Sequence, residues 1–257
     1  MNREPSGRRV CVYCRGARGA KLSKEHVVSD TVLRMMFGSN TPRVAFYRKG
    51  VPREFQSDLE IKDVCKDCNS DLSPYDDAGA AFVQAINAQP SMVGQSLAFD
   101  RGTLIWLIKT HLNALRIDKG KSLSLDQSIY QSLFGGTFAL AGKCRLFVEA
   151  WDTIGYERRR PGGLSGLAYG TFDPPQHGFV VSYFRMMWLG TYLFLPTDGD
   201  YTDFVSRSLC TVAKLDEMIA FEAQEVDSVT DMASDRIDVK TIVPPHRVLT
   251  RKMYGFL

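Results

Sequence analysis

Four of the six cysteines in the chain form two Cys-x2-Cys pairs, Cys11/Cys14 and Cys65/Cys68, roughly fifty residues apart. A Cys-x2-Cys turn presents two thiolates to one metal ion, and two such turns complete the tetrahedral coordination that zinc prefers. Disulfides are rare in a reducing compartment, which also favours a metal site. We therefore expect a structural Zn²⁺ bound by all four thiolates. A redox dithiol and unrelated buried cysteines are the alternatives, and each explains one pair more easily than two.

Two short polar segments lie beside these pairs. Lys24-Glu25-His26-Val27-Val28 follows the first pair, and Cys68-Asn69-Ser70 continues the second pair into a segment that we expect to be helical. The combined pattern CxxC…(D/E)H(V/I)(V/I)…CxxCN resembles the HNH endonuclease superfamily. The resemblance covers about residues 9–90. It implies a ββα-metal fold, in which a two-stranded ribbon carries the acid–histidine pair and the following helix carries the asparagine or histidine.

The resemblance implies a role for three residues. His26 would be the general base that takes a proton from the attacking water, and a free histidine pKa near about 6.5 suits that role. Glu25 and Asn69 would bind a catalytic Mg²⁺ or Mn²⁺ through oxygen ligands, and this metal would stabilise the transition state. A simpler interpretation of Asn69 is a helix cap. Asp76 and Asp77 would brace His26 or the metal, or cap the helix.

The chain departs from the usual HNH pattern at three positions. Ser29 stands where a proline is common, and Asn69 occupies the third position of the family name in place of a histidine. No asparagine lies shortly before the second cysteine pair, where Glu60 and Asp63 are found instead. The middle asparagine of the family orients the loop that bears the base through backbone hydrogen bonds. Its absence therefore bears on the geometry of His26 more than on metal binding.

Basic residues lie close to these motifs in the sequence. Those expected to contact phosphates are Arg15, Arg18, Lys21, Lys24, Arg43, Arg48 and Lys49. Arg158–Arg160 form a second candidate patch in the other half of the chain. Such contacts would give a salt-dependent affinity without sequence preference, although a solvated loop explains each cation equally simply. The net charge of +3 neither requires nor excludes a nucleic-acid partner.

Several elements must position the candidate residues. Val27–Phe37 is interpreted as a short strand or turn that runs into a helix, and Gly38–Gln56 as a loop because of its Gly, Pro and Asn content. Ser73-Pro74-Tyr75-Asp76 is typical of a helix start, with a serine cap and proline at the first position. Thr103–Arg116 is predicted to be an amphipathic helix, on which His111 receives no functional role.

The second half of the sequence has the character of strands. Thr137–Ala150 and Gly178–Leu195 are rich in aromatic and β-branched residues and are predicted to form antiparallel hairpins. We also expect a short helix over Asp216–Gln224 and a last strand over Thr241–Val248. The expected fold class is α+β: an N-terminal zinc-stapled ββα-metal (HNH) module followed by a mixed domain with helices and a mostly antiparallel sheet.

The expected function is a metal-dependent HNH endonuclease that hydrolyses phosphodiester bonds, with DNA favoured over RNA. Residues 1–92 would form the nuclease module and residues 93–257 an accessory domain for recognition, regulation or dimerisation. The alternative is a catalytically silent zinc-stapled module that binds nucleic acid or protein. HNH proteins of this layout resemble parts of bacterial restriction and defence systems, and a homodimer or a regulatory protein partner is compatible with that role. Without a signal peptide or a membrane span, the chain is expected to be cytoplasmic.

Overall fold

The structure is a computed structural model. The residues that it describes are 10–18, 21–37, 44–48, 51–55, 60–88, 96–119, 125, 127–131, 133–134, 145–150, 167–172, 179–186, 189–196, 224–225 and 236–240.

A ββα-like unit lies in the N-terminal part of the chain. Strand β1 (Leu22–His26) pairs antiparallel with β4 (Glu60–Cys65), which runs directly into helix α2 (Lys66–Asn87). Leu22 lies opposite Cys65 and His26 opposite Glu60, with a register shift between Ser23 and Glu25. At this shift, two residues of β4 lie opposite Lys24 of β1, an arrangement that increases the local twist of the two strands. The arrangement agrees with the expected order of two strands and a helix.

Helix α2 begins earlier than the sequence predicts. The predicted start at Ser73-Pro74 is wrong, because α2 begins at Lys66 and Pro74 lies inside the helix. Proline has no N–H to donate to the carbonyl four residues before it, which is that of Ser70. The hydroxyl of Ser73 donates to the Ser70 carbonyl at 2.8 Å instead. This hydrogen bond satisfies the acceptor that proline leaves open, so the helix continues.

The segment between the two strands of the ββα unit is more regular than predicted. Helix α1 (Asp30–Phe37) follows a turn, as expected. The interpretation of Gly38–Gln56 as a loop is wrong, because it contains β2 (Val44–Arg48) and β3 (Val51–Phe55), which form an antiparallel hairpin. Strand β3 lies at the edge of a larger sheet, where its proline does not interrupt a hydrogen-bonding ladder.

Helix α3 is the central element of the described fold. It spans Arg101–Lys119, in agreement with the predicted helix, and the Oδ1 atom of Asp100 caps it by accepting from the N–H of Thr103 at 2.7 Å. The sequence predicts an apolar stripe on one side of the helix, whereas the structure buries every residue over 103–116 on all sides. A Cβ atom at Gly79 of α2 would lie 2.3 Å from the ring of Trp106. Glycine is thus needed where α2 and α3 approach each other.

A seven-stranded sheet covers α3 on the side away from the ββα unit. Its strand order is β10-β6-β9-β8-β7-β2-β3, and β2 pairs parallel with β7 whereas the other neighbours are antiparallel. The strands of the second half are β6 (Arg145–Ala150), β7 (Leu167–Phe172), β8 (Phe179–Met186), β9 (Leu189–Pro196) and β10 (Gln224–Glu225). The predicted hairpin over Gly178–Leu195 is confirmed, and β7 was not predicted. The α+β class and the mostly antiparallel sheet are confirmed.

The remaining described elements are short. Helix α4 (Gln127–Gln131) follows α3, and β5 (Ser96–Asp100) pairs with β11 (Arg236–Lys240). The predicted strand over Thr241–Val248 lies outside the described residues, as does the predicted helix over Asp216–Gln224 except for its last residue, which belongs to β10. Strands from before and after residue 92 share one sheet. Among the described helices, none combines the length and apolar character that crossing a membrane requires.

Candidate metal centre and histidine site

The four paired cysteines converge on one point. Their Sγ atoms lie within 4.8 Å of one another, and those of Cys14 and Cys65 are 3.7 Å apart. Zinc–sulfur bonds of about 2.3 Å in tetrahedral geometry separate neighbouring sulfurs by about 3.8 Å. The donor set and its spacing therefore fit a zinc ion, and the predicted four-cysteine metal site is compatible with the structure.

The first knuckle, residues 10–18, is a tight turn that carries Cys11 and Cys14. Arg15 and Gly16 adopt positive φ angles of 54° and 89°. Burial raises the pKa of the Cys14 thiol, but hydrogen bonds from the backbone N–H groups of Arg18 and Gly16, together with those to the thiols of Cys11 and Cys65, outweigh burial, so that the pKa falls to about 6. This turn favours the thiolate form that binds a metal.

The knuckle is held by groups that lie far away in the sequence. The N–H of Val12 donates to the carbonyl of Asp63 in β4 at 2.9 Å. From α4, the Nε2 atom of Gln127 donates to the carbonyls of Val12 and Tyr13 at 2.9 and 2.7 Å. Its Oε1 atom accepts from Nε of Arg15 at 2.6 Å. The sequence offers no signal for this clamp, because glutamine at a helix start is commonplace.

His26 lies at the end of β1 that is opposite to the zinc cluster. Its side chain is 36% exposed, and Nε2 lies 3.9 Å from Oε1 of Glu60 on the neighbouring strand. Glu60 also pairs with Nζ of Lys24 at 2.5 Å, and this contact, with a further contribution from His26, lowers the pKa of Glu60. The carboxylate beside the imidazole is thus that of Glu60 rather than that of the preceding residue, Glu25.

Glu25 is turned away from the surface towards α3. Its carboxylate is almost fully buried, with Oε1 3.3 Å from Nζ of Lys109 and Oε2 3.1 Å from the guanidinium of Arg116. Successive residues of a strand point to opposite faces, which explains why Glu25 and His26 diverge. A divalent cation bound to Glu25 would meet two buried positive charges at short range. Glu25 therefore does not fit a catalytic metal ligand in this arrangement.

The two cations of α3 connect Glu25 to the rest of the ββα unit. Nζ of Lys109 lies 2.9 Å from both carboxylate oxygens of Asp76 in α2. Nε of Arg116 lies 3.2 Å from Oδ2 of Asp63, and its NH1 donates to the hydroxyl of Tyr13. Burial is the largest influence on both aspartates and raises the pKa of each, although the neighbouring cations oppose it.

Asn113 makes a contact that the sequence analysis did not foresee. Its Nδ2 atom donates to the backbone carbonyl of His26 at 3.0 Å from the middle of α3. The usual HNH pattern lacks its middle asparagine in this chain, and here an asparagine from a distant helix holds the backbone of the candidate base. No sequence signal identifies Asn113, because it lies in a helix that the periodicity marks as core.

Asn69 lies in the first turn of α2 and is half-buried. It follows Cys68 directly and so belongs to the zinc end of the unit, whereas His26 lies at the far end of β1. Asp76, two helical turns after Asn69, is the α2 residue that reaches the Glu25 region, through Lys109. Asp76 therefore contacts Lys109 rather than His26 in the ion pairs described here. The expected role of Asn69 as a metal ligand stays a prediction.

Three of the seven predicted phosphate-binding cations contact other groups of the protein. Arg15 bonds Gln127, Arg18 pairs with Asp71 at 2.5 Å, and Lys24 pairs with Glu60. Lys21 is exposed. Arg48 lies in β2, and the predicted contacts Arg43, Lys49 and Arg158–Arg160 fall outside the described residues.

A scan against protein-family models, a search of curated proteins and a search of solved structures each found no significant match to this chain. The class that the fold and the site define is an α+β protein with a four-cysteine cluster, compatible with a zinc site, in a small ββα-like N-terminal unit.

Proposed function

We propose that the chain is a zinc-stapled endonuclease of the HNH type that hydrolyses phosphodiester bonds in DNA. The observation that supports it best is the position of His26. It lies at the surface end of the first strand of a ββα-like unit, and its backbone carbonyl is held by Asn113. A binding module has no need for a histidine placed and held in this way.

His26 would act as the general base. Its Nε2 edge faces the carboxylate of Glu60, so that a water bound beside the ring can give up a proton to the imidazole as the water attacks phosphorus. The negative charge of Glu60 would stabilise the imidazolium that forms. The bond between phosphorus and the leaving oxygen then breaks, the leaving oxygen takes up a proton from solvent, and the DNA strand is cut.

The role of Mg²⁺ or Mn²⁺ in DNA cleavage is tested directly. Glu25 faces Lys109 and Arg116 and does not fit a metal ligand, so we assign no step of the reaction to a metal bound there. Asn69 remains available for an oxygen contact. Activity with and without a divalent cation decides whether a second metal takes part.

The alternative function is a zinc-stapled module that binds nucleic acid or protein without cutting. Two observations favour it. The carboxylate expected to bind a catalytic metal is used in a buried ion-pair network, and Arg18 and Lys24 are paired with protein carboxylates. A module of this kind would still bind zinc and shift DNA on a gel.

Plasmid nicking by purified full-length protein tests the proposal. Wild type, His26→Ala and the control variant Gln84→Ala, a change of an exposed residue of α2, are compared in Mg²⁺, Mn²⁺ and EDTA. Loss of a general base is expected to lower the rate by about 10²- to 10⁴-fold, whereas Gln84→Ala should match the wild type.

Equal activity of wild type and His26→Ala would reject His26 as the base. No cleavage by the wild type, with zinc bound and DNA shifted on a gel, would establish the binding module instead. Activity that persists in EDTA would show that the catalytic step needs no exchangeable metal.

A further inference from the structure

One face of α3 carries three buried polar side chains that all reach the Glu25–His26 dipeptide. Lys109, Asn113 and Arg116 follow the spacing i, i+4 and i+7, which places them on one side of a helix. They are 3%, 0% and 7% exposed. Lys109 and Arg116 hold the carboxylate of Glu25, and Asn113 holds the carbonyl of His26. We call these three residues the α3 polar face.

The side-chain amide of Asn113 uses only its N–H donor among the described residues. Its Oδ1 atom is buried and has no hydrogen-bond partner among the described residues, whereas Nδ2 donates to the His26 carbonyl at 3.0 Å. A buried amide oxygen without a partner destabilises the folded protein. An apolar side chain would avoid that cost, so packing alone does not explain an asparagine at this position.

We propose that the α3 polar face positions His26, with Asn113 as the main positioning residue and Glu25 as an anchor rather than a metal ligand. Both carboxylate oxygens of Glu25 and the backbone carbonyl of His26 are held, which fixes the direction of β1 directly after the register shift between Ser23 and Glu25. The direction in which the His26 imidazole leaves the strand is then set. The catalytic consequence rests on the proposed nuclease function, whereas the positioning itself does not.

Asn113→Leu tests the proposal, because leucine keeps the branched shape of the side chain and removes the N–H donor. The matched control is His111→Gln, a change of a fully buried polar residue on the other side of the same helix. In the full-length protein, kcat of Asn113→Leu is expected to fall about 10- to 100-fold through misplacement of the base. KM should change less than about threefold, and His111→Gln should lose thermal stability but keep kcat below its melting temperature.

A second readout does not need activity. The Cε1–H proton signal of His26 in NMR spectra is assigned by its absence from His26→Ala. It should be sharp in wild type and His111→Gln, and broadened or split in Asn113→Leu, because the strand end samples several orientations. If Asn113→Leu does not fold, Asn113→Asp replaces it, since an ionised carboxylate of the same size cannot donate to the carbonyl.

An unchanged His26 signal in the variant overturns the proposal, whatever the rate. If His26→Ala abolishes cleavage and Asn113→Leu cuts like the wild type, the proposal that Asn113 positions His26 is rejected. The proposed nuclease function is then retained. If the wild type does not cut, the nuclease function fails and the NMR signal alone decides positioning.

Discussion

Helix α3 buries polar side chains on two sides, and the two sides use different chemistry. Towards the ββα unit, the α3 polar face carries Lys109 and Arg116, both in ion pairs. Towards the sheet, the ring nitrogens of His111 lie 2.9 Å from Oγ of Ser182 and 3.0 Å from Oγ1 of Thr191. Burial lowers the pKa of His111 to about 3, so this ring is neutral at pH 7.

The difference follows from what each neighbour supplies. The ββα unit offers the carboxylates of Glu25, Asp63 and Asp76, which neutralise the buried cations of α3. The sheet offers hydroxyl groups to His111, and burial disfavours the charged form of its ring. One side of α3 therefore holds the ββα unit by matched charges. The other side holds the sheet by neutral hydrogen bonds and apolar packing.

Removal of zinc is expected to have the largest effect and to act on one side of α3 only. Structural zinc contributes an apparent free energy of about 10 kcal/mol or more in small modules. Cys65→Ser, or chelation of the wild type, should therefore release the first knuckle and β4 from each other. Hydrogen–deuterium exchange should show protection lost in β1 and β4 and retained in β8 and β9, alongside a measured loss of bound zinc. Equal loss in both regions would show that the two sides of α3 are not independent.

Arg116→Met should have the next largest effect. It leaves Glu25 with Lys109 as its remaining cation and leaves the partly exposed Asp63 without a cation. Loss of one partner of a buried ion pair typically costs about 3–5 kcal/mol of unfolding free energy. Arg34→Met is the matched control, because Arg34 pairs with Asp30 at the surface. That exposed pair should contribute less than about 1 kcal/mol. Urea denaturation measures both variants, and similar losses would mean that the buried charges of the α3 polar face contribute no more than surface ones.

The smallest expected effect is the pH dependence carried by His111. The folded state keeps the ring neutral down to a pKa of about 3, whereas the unfolded chain takes up a proton below about 6.5. Stability from this residue is complete above pH 6.5 and is lost as the pH falls towards 3. The slope approaches about 1.4 kcal/mol per pH unit.

Comparison with His111→Gln isolates this contribution from those of other titrating groups. The difference in unfolding free energy between wild type and variant should narrow from about pH 7.5 to about pH 5 in urea denaturation. A difference that stays constant over this range would show that folding does not lower the pKa of the ring.

Local sequence signals predicted several features well. The cysteine spacing identified the cluster, because metal ligands obey strict local geometry. Apolar periodicity predicted α3, and the aromatic and β-branched run over Gly178–Leu195 predicted the β8–β9 hairpin. These features succeed because each is stabilised by residues close in sequence.

Features that depend on distant partners were missed. The β2–β3 hairpin lies in a sheet because β7, from the second half of the chain, pairs with β2. The clamp of Gln127 on the first knuckle joins residues more than a hundred positions apart. Pro74 is typical of a helix start, and the Ser73 hydroxyl that lets the helix continue becomes informative only once the helix exists.

The amino-acid sequence by itself determined which residues are candidates: four cysteines for a metal and His26 for proton transfer. The tertiary structure decided how their neighbours are used. Glu25 precedes His26 in the chain, yet alternation along β1 turns the two side chains to opposite faces, and only the packing of α3 decided which face is buried. Because Lys109, Asn113 and Arg116 lie on that helix, they contact Glu25 and His26 only in the folded protein.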